Sequence, residues 1–278
     1  MKEVIKKILT RLHIYHPLQS FYRRQIFERK KKKLQKQFAA YQGPGFTCNV
    51  CQAQYIKMAP DWPGPENRHA LEKNKVIAGY GENILCPHCL STARERLVLL
   101  MLQQHIPFAG KKILLLSPEK TIYSYLKEKA SVITADISPG FYKSIDPHIQ
   151  KEDARAFQFS DQSFDIIIAN HVLEHIPQDE IAMKEMYRVL KSGGKAILQV
   201  PYSMDIPGTL ETPGIQDAAL QSALYGQRDH VRIYQLQDYI HRLQRAGFQV
   251  EEWDYEKLKP YYKNAIQKGE SFLMILKN

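Results

Sequence analysis

The sequence predicts an α/β protein built around a parallel sheet, and three observations carry that expectation. Ile166, Ile167, Ile168 and Ala169 form a short apolar run without alternation, as expected of a strand buried on both faces. After it, Pro177, Gln178 and Asp179 open a helix in which Ala182, Met186, Val189 and Leu190 fall at i, i+4, i+7 and i+8, one apolar stripe to lay on the sheet. Gly193 and Gly194 read as the helix stop, 195–200 as the next strand, and Pro201 as its end, because a residue without an N–H cannot extend a central ladder.

A chain of 278 residues suffices for one large domain or two modest ones, and 44% hydrophobic with 24% charged residues is ordinary for a globular protein in water. The longest apolar run, 97–102, is far short of the roughly 20 residues that span a bilayer. Lys2, Lys6, Lys7 and Arg11 interrupt any signal-type apolar stretch, which leads to a cytoplasmic expectation. Residues 1–36 hold 12 Lys/Arg against 2 Asp/Glu, so the whole net charge of +10 belongs to this arm. Within it Ile5, Ile8, Leu9 and Leu12 follow helical spacing, Pro17 interrupts, and Leu18, Phe21, Tyr22 and Ile26 repeat the stripe before the basic run at 29–33. Such an arm suits three partners: the body or a second subunit, the inner surface of a membrane as a peripheral contact, or nucleic-acid phosphate.

All four cysteines fall in two C-x-x-C pairs, Cys48 with Cys51 and Cys86 with Cys89. Four soft thiolates in this pattern point to one structural Zn²⁺ with a closed shell, and disulfides are disfavoured in a reducing compartment. His88, between Cys86 and Cys89, is an alternative ligand. Residues 92–105 read as a helix with Leu97, Leu100, Met101 and His105 on one stripe, tying the zinc segment to the α/β part.

Residues 113–116 are the first strand of the sheet, followed by Ser117, Pro118 and Glu119 at a helix start, where an anion is favoured. The strand at 131–135 ends at Asp136, 20 residues after Leu116, a spacing at which a carboxylate can accept both hydroxyl protons of a ribose. A weaker third strand ends near Glu152, Asp153 and Ala154. Ligands of open parallel sheets bind beyond the carboxyl ends of the strands, so Asn170, His171, Pro201 and Tyr202 are expected to face one. Residues 203–234 are too long for a simple connection and read as a lid or substrate insertion. Arg228, Asp229, His230 and Arg232 at its end suit either an anion clamp with a proton carrier or an internal salt bridge. A helix at 235–245 and strands at 248–255 and 271–276 complete the pattern.

The stretches FDIIIANHVLEHI and EMYRVLKSGGKAILQVP closely resemble the fourth and fifth strand region of class I S-adenosylmethionine-dependent methyltransferases of the small-acceptor type. CPHCLSTARERLVLLML also looks like the end of the zinc-bearing segment in some bacterial members. The resemblance implies a Rossmann-like, seven-stranded, mostly parallel sheet with helices on both faces and an antiparallel final strand. It implies three parts: a basic arm at 1–42, a four-cysteine zinc module with linking helix at 43–108, and the methyltransferase domain at 109–278.

By the same resemblance S-adenosylmethionine is the cofactor, with Ser117, Glu119, Asp136, Ile137, Asp153, Ala154 and Asn170 as its binding set. Asp136 then holds the ribose, Asp153 receives the adenine amino group, and Glu119 meets the methionine ammonium or caps its helix. The usual glycine-rich loop is replaced by Ser-Pro-Glu, a form found in a minority branch. His171 and His230 are the candidate bases, with His175 read as a structural histidine. The catalytic half holds no cysteine for covalent chemistry and no Asn-Pro-Pro-Tyr motif. The expected activity is methyl transfer to O or N of a small-molecule or glycan acceptor. The alternatives are an RNA methyltransferase, or a non-catalytic scaffold that kept the fold.

Overall fold

The computed structural model describes residues 15–278. The stripe at Ile5, Ile8, Leu9 and Leu12 lies outside them. Helix α1 (Tyr15–Gln37) runs through Pro17 rather than breaking there, because proline is tolerated in a first helical turn. Tyr22 and Ile26 are exposed on it, whereas Phe38, just past its end, is buried against the cysteine-bearing segment. That segment contains strands β1 (Gln42–Thr47), β2 (Gln54–Tyr55), β3 (Ala59–Asp61) and β4 (Gly81–Leu85), paired as two antiparallel ribbons, β1 with β2 and β3 with β4. Helix α2 (Pro65–Lys73) lies between β3 and β4 in sequence, and α3 (Ala93–Gln104) comes after β4.

Thr92 caps α3, its hydroxyl accepting from the Glu95 N–H while Glu95 accepts from the Thr92 N–H, a reciprocal box that satisfies two orphan amides. The expected single stripe is too narrow for what α3 does. Every residue from Leu97 to Leu102 is buried, because the helix is wedged between the cysteine segment and the sheet.

The main sheet has seven strands in the order β13-β14-β9-β8-β5-β6-β7. They are β5 (Lys112–Leu116), β6 (Ser131–Asp136), β7 (Gln150–Lys151), β8 (Phe164–Ala169), β9 (Leu190–Ile197), β13 (Gln249–Trp253) and β14 (Phe272–Leu276). Only β14 runs antiparallel to its neighbours β9 and β13. Ile113 and Leu115 face α3, while Leu114 and Leu116 face the opposite core with Ala182, Met186 and Val189 of helix α5 (Asp179–Val189). Helix α4 (Lys120–Leu126) covers the first face. The two-residue period of a strand thus feeds two cores, which is why the central runs show no polar alternation.

Two boundaries differ from expectation. Helix α5 ends at Val189, and Leu190 already pairs with Phe164, so the glycines lie inside β9 and do not stop the helix. Gly193, at φ +72°, donates to Lys277 O while Lys277 N donates to Gly194 O, a local irregularity that glycine accommodates without strain. The strand expected over 195–200 extends only to Ile197. Beyond it, Tyr239 donates to Leu198 O and the Gln199 side chain bonds Ser271 O and Leu273 N.

The insertion is folded. β10 (Tyr202–Ser203), β11 (Leu210–Glu211) and β12 (Arg232–Gln235) form a small sheet in the order β10-β12-β11, with α6 (Ala218–Tyr225) before β12 and α7 (Leu236–Arg245) after it. α8 (Tyr255–Leu258) and a 3-10 turn at Lys259–Asn264 join β13 to β14. No helix among the described residues is long and apolar enough to cross a membrane.

Candidate functional site

A cavity of about 420 Å³ opens beyond the carboxyl ends of β5, β6, β7 and β8, where an open parallel sheet places its ligands. Ser117, Asp136, Ile137, Asp153, Ala154 and His171 of the expected set line it. Ser117 takes φ +45°, a left-handed backbone conformation that L residues adopt only under strain, and so does the job of a glycine in this turn. Its hydroxyl donates to Asp136 Oδ2 at 2.6 Å, and the Ser138 N–H donates to Asp136 Oδ1 at 2.6 Å. The carboxylate is therefore oriented from both sides while remaining on the cavity wall. Asp153 accepts from the Arg155 amide at 2.9 Å and from its Nη2 at 2.7 Å, and the guanidinium beside it holds its pKa below the usual range.

Glu119, Asn170 and His230 stand behind this wall rather than on it. Glu119 occupies the N-cap of α4 without capping it by its side chain. Its Oε1 accepts from Arg94 Nε at 2.9 Å and its Oε2 from Asn170 Nδ2 at 2.6 Å. Asn170 Oδ1 is buried and has no hydrogen-bond partner. Pro201 and Tyr202, expected to face the ligand, do not line the cavity. Tyr202 is buried, and its hydroxyl accepts from the Ser271 amide at 2.7 Å, because the chain turns into the insertion at this point.

Sequence reasoning does not single out Tyr142 or Val172 as cavity-lining residues, nor Arg94, which reaches Glu119 from α3; it names Asp229 only within the clamp or salt bridge and gives His175 only a structural role, although both line the cavity. Tyr142 carries no signal, since it lies in an irregular segment. His175 does: His171, Glu174 and His175 sit on the strand end and the 3-10 turn Leu173–His175, a spacing that brings them together. His171 is in the left-handed region at φ +57°, and its amide donates to Gln199 O, which fixes the turn. Burial drives His171 well below the ordinary imidazole pKa and takes His230 to about 3, so both rings are neutral. Burial also raises the Glu174 carboxyl to about 7.

The anion-clamp expectation at the end of the insertion is corrected for Arg232. Its guanidinium is 3% exposed, donating to Glu211 at 2.7 Å and to the carbonyls of Leu173, Ile176 and Pro177. Together with Arg242, Asp179 and Glu211 it closes an internal network that staples the insertion to the Glu174 turn. Buried and fully paired, it offers nothing to an acceptor.

The four cysteines converge. Cys48 and Cys89 Sγ are 3.7 Å apart, as are Cys51 and Cys86, and all four sulfurs lie within 4.8 Å of one another. Zn–S bonds of about 2.3 Å in a tetrahedron give S···S edges of about 3.8 Å. The two C-x-x-C turns are built alike. In each the first cysteine's carbonyl accepts from the amide four residues on, Gln52 or Leu90, and that residue has φ +62° or +64°. His88 is exposed and stands outside the sulfur group, so it is no replacement ligand. Arg96, fully buried, lies near enough to Cys48, Cys86 and Cys89 to balance thiolate charge.

Residues 119–198 match a family model described as a methyltransferase domain. The ubiquinone/menaquinone biosynthesis C-methyltransferase UbiE of Rhodopseudomonas palustris is 38% identical over 56 residues, 20% of this chain and 22% of that protein. Phosphoethanolamine N-methyltransferase 2 of Caenorhabditis elegans is 39% identical over 46 residues, 16% and 10% of the two chains. The match therefore spans about a fifth of the first relative's length. Among solved structures, the [4+2]-cyclase SpnF aligns with a TM-score of 0.49 at 14% identity, over 79% of this chain and 98% of that one. The stretch from Glu119 to Leu198 that matches the methyltransferase-domain model contains Asp136, Asp153, Asn170 and His171.

Proposed function

We propose that this chain is an S-adenosylmethionine-dependent methyltransferase acting on an oxygen or nitrogen of a small-molecule or carbohydrate-type acceptor. The observation that carries the reading is Asp136, held from both sides by Ser117 and Ser138 at a strand's carboxyl end, within a segment that has a methyltransferase-domain sequence. The cavity fits a nucleoside-bearing cofactor in size and in donor set. Asp136 suits the ribose hydroxyls, Ala154 and Ile137 the faces of a base, and Asp153 its exocyclic amine. The cofactor supplies an electrophilic methyl group on a sulfonium.

The protein's part is alignment and proton removal. Positioning can contribute about 7–11 kcal/mol to an in-line displacement. His171, neutral and on the cavity wall, is the proposed base for an acceptor's hydroxyl or amine proton. His230 stands one layer back, within 4.0 Å of Glu174, and acts through that carboxyl rather than on the acceptor.

Calorimetric titration with S-adenosylhomocysteine tests the reading. Micromolar binding is expected, and Asp136→Ala should weaken it by about 1.5–3 kcal/mol, the scale of hydrogen bonds to a charged group. No binding by the intact chain would remove the proposal and leave a scaffold that kept the fold.

The cysteine cluster is proposed to hold one structural Zn²⁺. Two of its sulfur separations, 3.7 Å each, match the tetrahedral edge, its two turns are alike, and four thiolates would leave no open position for substrate. Metal analysis should find one zinc per chain at this site, and Cys51→Ser should lose it.

A further inference from the structure

Glu174 is fully buried, and neither of its carboxylate oxygens has a hydrogen-bond partner. A buried carboxyl normally has at least one hydrogen-bond partner, so the lack of any calls for an answer. Three imidazoles face the same oxygen: His171 Nδ1 at 3.4 Å, His175 Nε2 at 4.0 Å and His230 Nε2 at 4.0 Å from Glu174 Oε1. These nitrogens surround the carboxylate without hydrogen-bonding to it.

The tautomer of His175 is set from outside the group. Its Nδ1 lies 3.1 Å from the Asp229 carbonyl oxygen, which can only accept, so Nδ1 carries the proton and Nε2 presents a bare lone pair toward Glu174. A ring N–H tied to a backbone carbonyl is the outer-sphere contact that orients metal-binding imidazoles and fixes their tautomer. The His175 and His230 rings meet edge to face at 4.7 Å, so their ring nitrogens converge without stacking. The ligand atoms of Glu174, His175 and His230 all lie within 4.8 Å of one another. Bonds of about 2.0–2.2 Å to one ion would set them roughly 3–3.5 Å apart, so separations of 4.0 Å and more must shorten by roughly 0.5–1.5 Å as the side chains close on an ion.

The two halves of the group are locked together independently of any ion. Val231 N donates to Glu174 O at 3.0 Å, and Arg232 gathers the carbonyls of Leu173, Ile176 and Pro177. Such support is what a preorganised ligand set requires.

We propose that Glu174, His175 and His230 bind a divalent first-row transition ion at the wall of the cavity, separate from the cysteine site. Two imidazoles and one carboxylate suit Mn²⁺, Fe²⁺, Co²⁺, Ni²⁺ or Zn²⁺ better than Mg²⁺ or Ca²⁺, which favour all-oxygen shells. His171 and His175 both line the cavity, so the ion's remaining positions face the place of an oxygen-bearing acceptor. That last role rests on the methyl-transfer reading, whereas binding of the ion does not.

The test adds Mn²⁺ to the intact chain carrying a single equivalent of zinc, held at the cysteines, and follows the loss of the free-ion electron paramagnetic resonance signal. Mn²⁺ has little affinity for a thiolate site. One Mn²⁺ per chain is expected, with affinity lowered at least tenfold by His175→Asn, His230→Asn or Glu174→Gln. Retention of zinc at the cysteines will show that each variant is folded. Should a variant fail to fold, pulsed resonance of Mn²⁺ on the unaltered chain reads coupling to imidazole nitrogen directly. No bound Mn²⁺ or Co²⁺ beyond the cysteine site, binding unchanged by the substitutions, or no imidazole coupling would each overturn the proposal and leave a proton-sharing cluster. Titration of the same sample with S-adenosylhomocysteine reports separately on the methyl-transfer reading.

Discussion

At the scale of single residues, the buried acids define the conditions under which this protein is stable. Glu270 is buried, with one oxygen unpartnered, and burial raises its carboxyl from 4.5 to about 7. A folded-state pKa above the unfolded one contributes stability that is present in full below about pH 4.5 and is lost as pH rises through about 7. Glu270→Gln should therefore flatten that part of the stability–pH curve and raise stability at pH 8 by on the order of 3 kcal/mol, from 1.36 kcal/mol per pKa unit. Denaturant melts of both proteins at pH 5 and pH 8 decide it; an equal loss at both values would show a packing role instead. None of this is legible in the sequence, where Glu270 follows Gly269 in what reads as a loop tip. Asp136 is legible, because strand length and spacing place it regardless of tertiary detail. Arg232 stays ambiguous between clamp and strut, since sequence shows a charge but not the three carbonyls that surround it.

At the scale of elements, the insertion packs on the cysteine-bearing segment through several contacts, Ser203 with Asn74 O and Ile77 with Tyr202 among them, and most tightly at the end of α6. Gly226 ends α6 at φ +79°, and a Cβ there would lie 2.5 Å from the Leu71 side chain of α2. Gly226→Ala should cost about 1–3 kcal/mol, combining a disfavoured backbone with overpacking. Thermal unfolding checks it, and Leu71→Ala in the same chain should recover part of the loss by making room. The regular elements that sequence places well are those with a period to read, such as α7 with Leu236, Tyr239, Ile240 and Leu243 on one buried face. Two-residue strands such as β7, β10 and β11 have none, so the folded insertion reads as a loop. The end of α5 is misplaced because the glycine pair that usually follows a helix here serves a bend inside a strand.

At the scale of the whole molecule, α3 joins the cysteine cluster to the cavity. One end of the connection is Arg96, near the cysteines, and the other is Arg94, whose guanidinium holds Glu119 and through it Asn170. Removal of zinc with a chelator should therefore weaken S-adenosylhomocysteine binding as well as loosen the amino-terminal segment. Arg94→Met should weaken that binding severalfold while the zinc content stays at one. Unchanged affinity in the variant would show that α3 supports the sheet but not the cavity. The same helix also ties together distant stretches of chain. Arg96 commits its buried guanidinium to the carbonyls of Ser91, Asn83, Ile84, Asn264 and Ala265, the fourth of them 168 positions further along. A ribosome releases the cysteine segment well before Asn264 exists, so until then a nascent chain carries a cationic side chain whose native acceptors are incomplete. Contacts of such long sequence separation close slowly. The amino-terminal third therefore completes this set of contacts only once residues near 264 are present, so its interior is closed by a stretch of chain made late.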